Sequence, residues 1–200
     1  MNFPATRSPS RYGLFGLLIA LIVLLAACRP YQYTGQLLDQ PVSVPDITLA
    51  DKNGQPVAFS DFSGKVVMLY FGYTFCPDVC PTTLNTVSKA VGLLGNKADE
   101  VQFVMISVDP ARDTPQKLAE YLANFSPDFI GLSGTPEEIA AAAVPFGVYY
   151  QKHEGSAATG YLVDHTASVM VLDRSGRLRL VIPFETPAEA IAADLKQLLK

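Results

Sequence analysis

Val66-Val67-Met68-Leu69-Tyr70-Phe71, VVMLYF, runs straight into Gly72-Tyr73-Thr74-Phe75-Cys76-Pro77-Asp78-Val79-Cys80-Pro81. An unbroken apolar run suits a strand covered on both faces, because a half-exposed strand would alternate. A helical stretch follows from Pro81 to about Leu94. Pro81 has no N–H to give and belongs in a first turn, so this helix starts near Cys80. Val101 to Val108, VQFVMISV, reads as a second covered strand. Asp113-Thr114-Pro115 then opens a helix whose apolar positions Leu118, Tyr121, Leu122 and Phe125 keep helical spacing. The same opening recurs at Thr135-Pro136-Glu137-Glu138 and at Thr186-Pro187-Ala188-Glu189. Upstream, Asp46–Leu49 and Val57–Phe59 flank the turn Asp51-Lys52-Asn53-Gly54 as an N-terminal β-hairpin. Downstream, Ala167–Asp173 and Arg177–Ile182 flank Arg174-Ser175-Gly176 as a second hairpin. This alternation predicts an α/β fold, a central mixed β-sheet with helices on both faces.

Two hundred residues and 21.6 kDa allow one domain of ordinary size plus a short terminal segment. At 49% hydrophobic and 17% charged, the chain has enough apolar surface for a core, and wholesale disorder is excluded. Only Arg7 and Arg11 are charged within residues 1–27, so the rest sets 13 Lys and Arg against 19 acidic residues. That balance, without a basic cluster, excludes nucleic acid as a partner. Three cysteines are too few for a disulfide scaffold.

After the two arginines, Leu14 to Ala27 is apolar throughout. As a helix those residues span about 21 Å, short of the roughly 30 Å hydrocarbon core, which fits a secretory signal better than a membrane span. The run ends in Leu25-Ala26-Ala27-Cys28, which resembles the lipobox of bacterial lipoproteins. The resemblance implies removal of residues 1–27 and acylation of Cys28, anchoring the protein on the outer, periplasmic side of a bacterial membrane. The alternative is an uncleaved anchor, and both place the globular part outside the cytoplasm. Residues 28–44 have no period and read as a linker or an extended arm. Residues 45–200 form the domain.

Cys76 and Cys80 stand four apart just past a buried strand, where helix-start amides favour thiolate over thiol. One helical turn puts both sulfurs on the same side, close enough for a disulfide or a shared metal ion. Two thiolates form a soft site suited to Cu(I) or Zn(II). A purely structural disulfide is the plain alternative, but a bridge across so short a loop stabilises little. Firm metal selection needs a third ligand. His165 stands in Tyr161-Leu162-Val163-Asp164-His165-Thr166, directly before a strand, while His153 sits among charged and small residues as a solvated loop residue. Spacing alone brings neither histidine to the cysteines.

Three blocks, FGYTFCPDVCPTTL (71–84), ISVDPARDT (106–114) and YLVDHT (161–166), resemble the signature blocks of the Sco/SenC proteins in order and spacing. The resemblance implies a thioredoxin-like fold and a copper-binding protein that helps assemble the copper centre of cytochrome c oxidase. It implies one Cu(I) or Cu(II) per chain at a Cys₂His site of Cys76, Cys80 and His165, and a redox disulfide between Cys76 and Cys80. The family's acidic positions fall on Asp78, Asp109 and Asp164. Asp164 would orient His165 or meet a partner, and Asp78 is a similar candidate. The implied partners are the oxidase's copper-site subunit or another copper chaperone. Thiol–disulfide exchange by the same cysteines is the alternative, although three residues between them, where thioredoxins have two, favour metal. A peroxidase comes third, because the threonine-and-proline run that precedes a peroxiredoxin's reactive cysteine is missing.

Overall fold

The computed structural model describes residues 31–156 and 160–200. Residues 1–27, read above as a signal segment, and Cys28 lie outside the described residues. Tyr33–Lys200 is a compact unit. Its largest sheet has six strands in the order β1 (Gln36–Ser43), β10 (Arg177–Ile182), β9 (Val169–Leu172), β4 (Val66–Gly72), β5 (Val101–Ser107) and β6 (Ile130–Leu132). β4, β5 and β6 run parallel, and β9 joins β4 antiparallel, so the sheet is mixed. Every residue of β4 is buried, as its unbroken apolar sequence requires. β2 (Thr48–Ala50) and β3 (Pro56–Ala58) form the expected N-terminal hairpin, with Gly54 supplying the positive φ of its turn.

The described residues hold four α-helices, α1 (Val79–Gly92), α2 (Pro115–Ala123) and α3 (Pro136–Ala143) between strands and α4 (Ala188–Leu198) after the last one. α1 buries Cys80, Leu84 and Val87 on one face and packs beside α4. Thr114 and Thr135 cap α2 and α3 as their sequences promise, the latter in a reciprocal box with Glu138. Thr186 does not cap α4, because its hydroxyl donates to the Pro183 carbonyl instead.

Two sequence expectations need correction. Residues 36–43, assigned to the linker or arm, are an edge strand of the large sheet, so the globular part begins ahead of position 45. Asp194, buried on α4, accepts the backbone N–H groups of Thr34 and Gly35 and ties this strand's approach to the core. Pro41 interrupts the register between Leu37 and Val42, which an edge strand tolerates. The second correction is an additional hairpin, β7 (Tyr150–Glu154) with β8 (Tyr161–His165), which forms its own two-stranded sheet. His153 is therefore a strand residue, exposed as expected but not in a loop.

Candidate metal centre

Gly72 ends β4, and the turn Tyr73–Asp78 carries the chain into α1 with Cys76 half-buried and Cys80 fully buried. Gly72 is required by close approach: a Cβ there would stand 2.9 Å from Cys80 Sγ and 2.8 Å from the Tyr70 ring. The turn is held from below by Asp113, a wholly buried carboxylate. It accepts the Thr74 N–H at 2.9 Å, the Thr74 hydroxyl at 2.6 Å and the Ser107 hydroxyl at 2.7 Å.

The third element is the β7–β8 hairpin, at whose end His165 faces the cysteines. His165 Nε2 lies 3.3 Å from Cys80 Sγ. Its Nδ1 lies 3.2 Å from the Thr166 carbonyl oxygen. An acceptor there places the ring proton on Nδ1 and turns the Nε2 lone pair towards the sulfurs. The ligand atoms of Cys76, Cys80 and His165 all lie within 4.8 Å of one another, the one such group of three or more among the described residues. Two tyrosines from β4 and its turn, Tyr70 and Tyr73, meet the imidazole edge-on, each at 5.8 Å.

Side chains rather than a shared ladder hold the hairpin to the sheet. The Tyr73 hydroxyl accepts the Val163 N–H at 3.2 Å. Buried Asp109 accepts from the Tyr161 hydroxyl at 2.6 Å and pairs with Arg112. The Arg112 guanidinium stacks 3.6 Å over the Tyr161 ring and donates to the Tyr161 carbonyl at 2.9 Å. The acidic block ISVDPARDT thus acts through two buried carboxylates, one under the cysteine turn and one under the hairpin.

The two thiols are electrostatically unequal. Hydrogen bonding from the Cys80 side chain, then from the Asp78 and Cys80 amides, holds Cys76 far below the usual thiol range despite its partial burial. Burial pushes Cys80 up, and a neighbouring Cys76 thiolate pushes it further. Only one sulfur is therefore charged in the metal-free protein, and a cation between them would favour ionising the second. Tyr70, raised by burial, stays a neutral phenol with its hydroxyl 3.6 Å from Cys80 Sγ.

Cys76, Cys80 and His165, the three predicted ligands, come together at one end of the sheet. Asp164 does not orient His165: its carboxylate lies 3.0 Å from His153 Nε2, since adjacent residues of a strand point to opposite faces. Asp78 is exposed at the helix start and makes no side-chain cap. Cys76, Pro77, Asp78, His153, Asp164 and His165 all line one open groove, with Cys80 buried behind it. Sequence reasoning missed Tyr70, Tyr73 and the support from Asp113 and Arg112. The signal available was two aspartates flanking an arginine immediately after a buried strand.

Similarity to known proteins covers the same residues. The family model described as SCO1/SenC matches residues 36–200. Protein sco1 of Schizosaccharomyces pombe is 38% identical over 148 residues, 72% of this chain, which spans 56% of that relative's length. The structure of Bradyrhizobium japonicum ScoI with copper bound shares 41% identity at a TM-score of 0.70, covering 77% of this chain and 98% of that one. The solution structure of apo Sco1 from Thermus thermophilus shares 43% identity at a TM-score of 0.75, covering 84% and 98%.

Proposed function

The chain belongs to the SCO1/SenC family, and from that premise we propose that it binds one copper ion through Cys76, Cys80 and His165 and delivers it to the copper centre of cytochrome c oxidase. The observation that carries the proposal is the convergence of two sulfurs and one imidazole nitrogen within 4.8 Å from segments far apart in sequence. Two thiolates and a neutral imidazole suit three-coordinate Cu(I), and the same set holds Cu(II) with an added ligand. The open groove lets a partner's ligands enter while this chain's ligands still hold the ion, so transfer proceeds by stepwise ligand exchange. Asp78 and Asp164, exposed along that groove, would meet the receiving subunit or another copper chaperone. Acylated Cys28 would tether the chain to the outer face of a bacterial membrane.

Anaerobic copper titration of the reduced chain tests this directly. One copper should remain per chain after desalting, Cys76→Ser or Cys80→Ser should nearly abolish Cu(I) retention, and His165→Ala should weaken Cu(II) more than Cu(I). Tight Cu(II) binding by His165→Ala would remove the third ligand from the proposal.

A second reading is favoured by the inequality of the thiols. An ionised, half-buried Cys76 beside a protonated, buried Cys80 has the form of an attacking and a resolving thiol. Strains carrying His165→Ala separate the readings. Metal delivery predicts less active oxidase, partly restored by added copper, with thiol-reducing capacity near wild type. Restoration by a thiol reductant and not by copper would favour exchange.

A further inference from the structure

Tyr70 is completely buried in β4, as is Cys80 at the start of α1, and both stand behind the groove that Cys76 lines. It touches two of the three proposed ligands, Cys80 through its hydroxyl at 3.6 Å and His165 through its ring. Gly72, on the same face of β4, leaves the space in which phenol and sulfur meet. No solvent reaches the hydroxyl to compete for its hydrogen, and the sulfur accepts it.

We infer that Tyr70 is a positioning residue whose hydroxyl, by donating to Cys80 Sγ, draws electron density from that sulfur and favours the cuprous over the cupric state of the bound ion. The inference rests on the copper reading above. Cu(II) takes more electron density from a thiolate than Cu(I) does, so a hydrogen bond competing for the same sulfur lone pair penalises the oxidised ion more. The same contact acts in the metal-free chain. There, oxidation of Cys76 and Cys80 forms one S–S bond and passes two electrons to glutathione disulfide, which leaves as two glutathione thiols, one proton coming from Cys80 and the other from solvent because Cys76 is already ionised. A disulfide sulfur is a poorer acceptor than a thiol or thiolate sulfur, so Tyr70 favours the dithiol.

The test compares wild type with Tyr70→Phe, which keeps the ring against His165 and removes only the oxygen. Both are full-length chains in detergent carrying Cys28→Ser, so that Cys76 and Cys80 alone titrate. In Tyr70→Phe the sulfur-to-Cu(II) charge-transfer band should move to longer wavelength and the Cu(II)/Cu(I) potential should fall. In glutathione buffers the metal-free pair should shift about three- to tenfold towards disulfide, roughly 14–30 mV for a two-electron couple. Tyr121→Phe removes a buried hydroxyl with no hydrogen-bond partner and should leave all three readings alone. Unchanged band, potential and thiol equilibrium in Tyr70→Phe would overturn the inference. Should that variant not fold, 3-fluorotyrosine at position 70, a stronger donor, must move all three the opposite way, and no movement overturns it equally. A wild-type chain that holds no copper sinks the copper reading alone, because the glutathione equilibrium still decides the role of Tyr70.

Discussion

Replacing Asp113 separates the frame of the site from its ligands. The carboxylate is fully buried and accepts three hydrogen bonds, two of them from Thr74, two residues ahead of Cys76. In Asp113→Ala the Thr74 and Ser107 hydroxyls can rotate to other acceptors, but the Thr74 N–H cannot. A lost charge-assisted network with one donor stranded costs about 3–5 kcal/mol. Against a typical total of about 5–15 kcal/mol, that is a large fraction of the fold's stability. Asp113→Asn fills the same volume. Its carbonyl oxygen keeps the Thr74 N–H and the Ser107 hydroxyl, and its amide can donate to Thr74 Oγ1. Only the charge assistance is lost, about 1–2 kcal/mol. Urea unfolding followed by near-ultraviolet circular dichroism measures both, and copper retained per folded chain should fall further in the Ala variant as the turn before Cys76 loosens. An Ala cost under about 1 kcal/mol, or an Asn cost equal to it, would refute the view that these three hydrogen bonds fix the turn.

Gly72→Ala forces its new methyl against Cys80 Sγ and should cost about 1–3 kcal/mol in the same unfolding assay while lowering copper retention; a neutral result would show that the sulfur has room to move. Cys76, with its pKa lowered, should be alkylated by iodoacetamide far faster than Cys80, and its rate should persist as pH falls below the ordinary thiol range, declining only near the lowered value. Equal rates at the two cysteines, followed by peptide mass spectrometry, would contradict the inequality of the thiols. His153→Ala breaks an exposed pair with Asp164 and should change stability by less than about 1 kcal/mol and leave copper stoichiometry intact. Mass spectrometry of the protein from its native membrane should find residues 1–27 absent and Cys28 acylated, and an intact Met1 segment or a free Cys28 thiol would refute the lipoprotein assignment.

The fold was legible wherever one short segment contained its own cause. VVMLYF is buried at every position because nothing in it tolerates water, and Thr-Pro starts α2 and α3 because one residue caps and the next needs no donor. β1 was not legible, since an edge strand half-open to solvent, with a proline at its register break, carries no clean period. β7 was hidden for a related reason: Gln151–Glu154 are all exposed, so no apolar alternation marks the strand. The two cysteines announced a site by local spacing and helix-start chemistry. His165 reached them only through resemblance, because its position depends on side-chain contacts at Tyr73, Asp109 and Arg112 that no short window contains.

The β7–β8 hairpin makes no strand pairing with the six-stranded sheet, yet it carries one of the three proposed ligands. An ion held jointly by Cys76, Cys80 and His165 would therefore rivet a separately built flap to the body of the molecule. Loading should slow amide hydrogen exchange in Tyr161–His165 far more than in β4, which is already sealed. His165 stands 85 residues after Cys80, so the clasp can close only once β8 has come to rest against the cysteine turn. An ion held there would report that these two separately built parts have met.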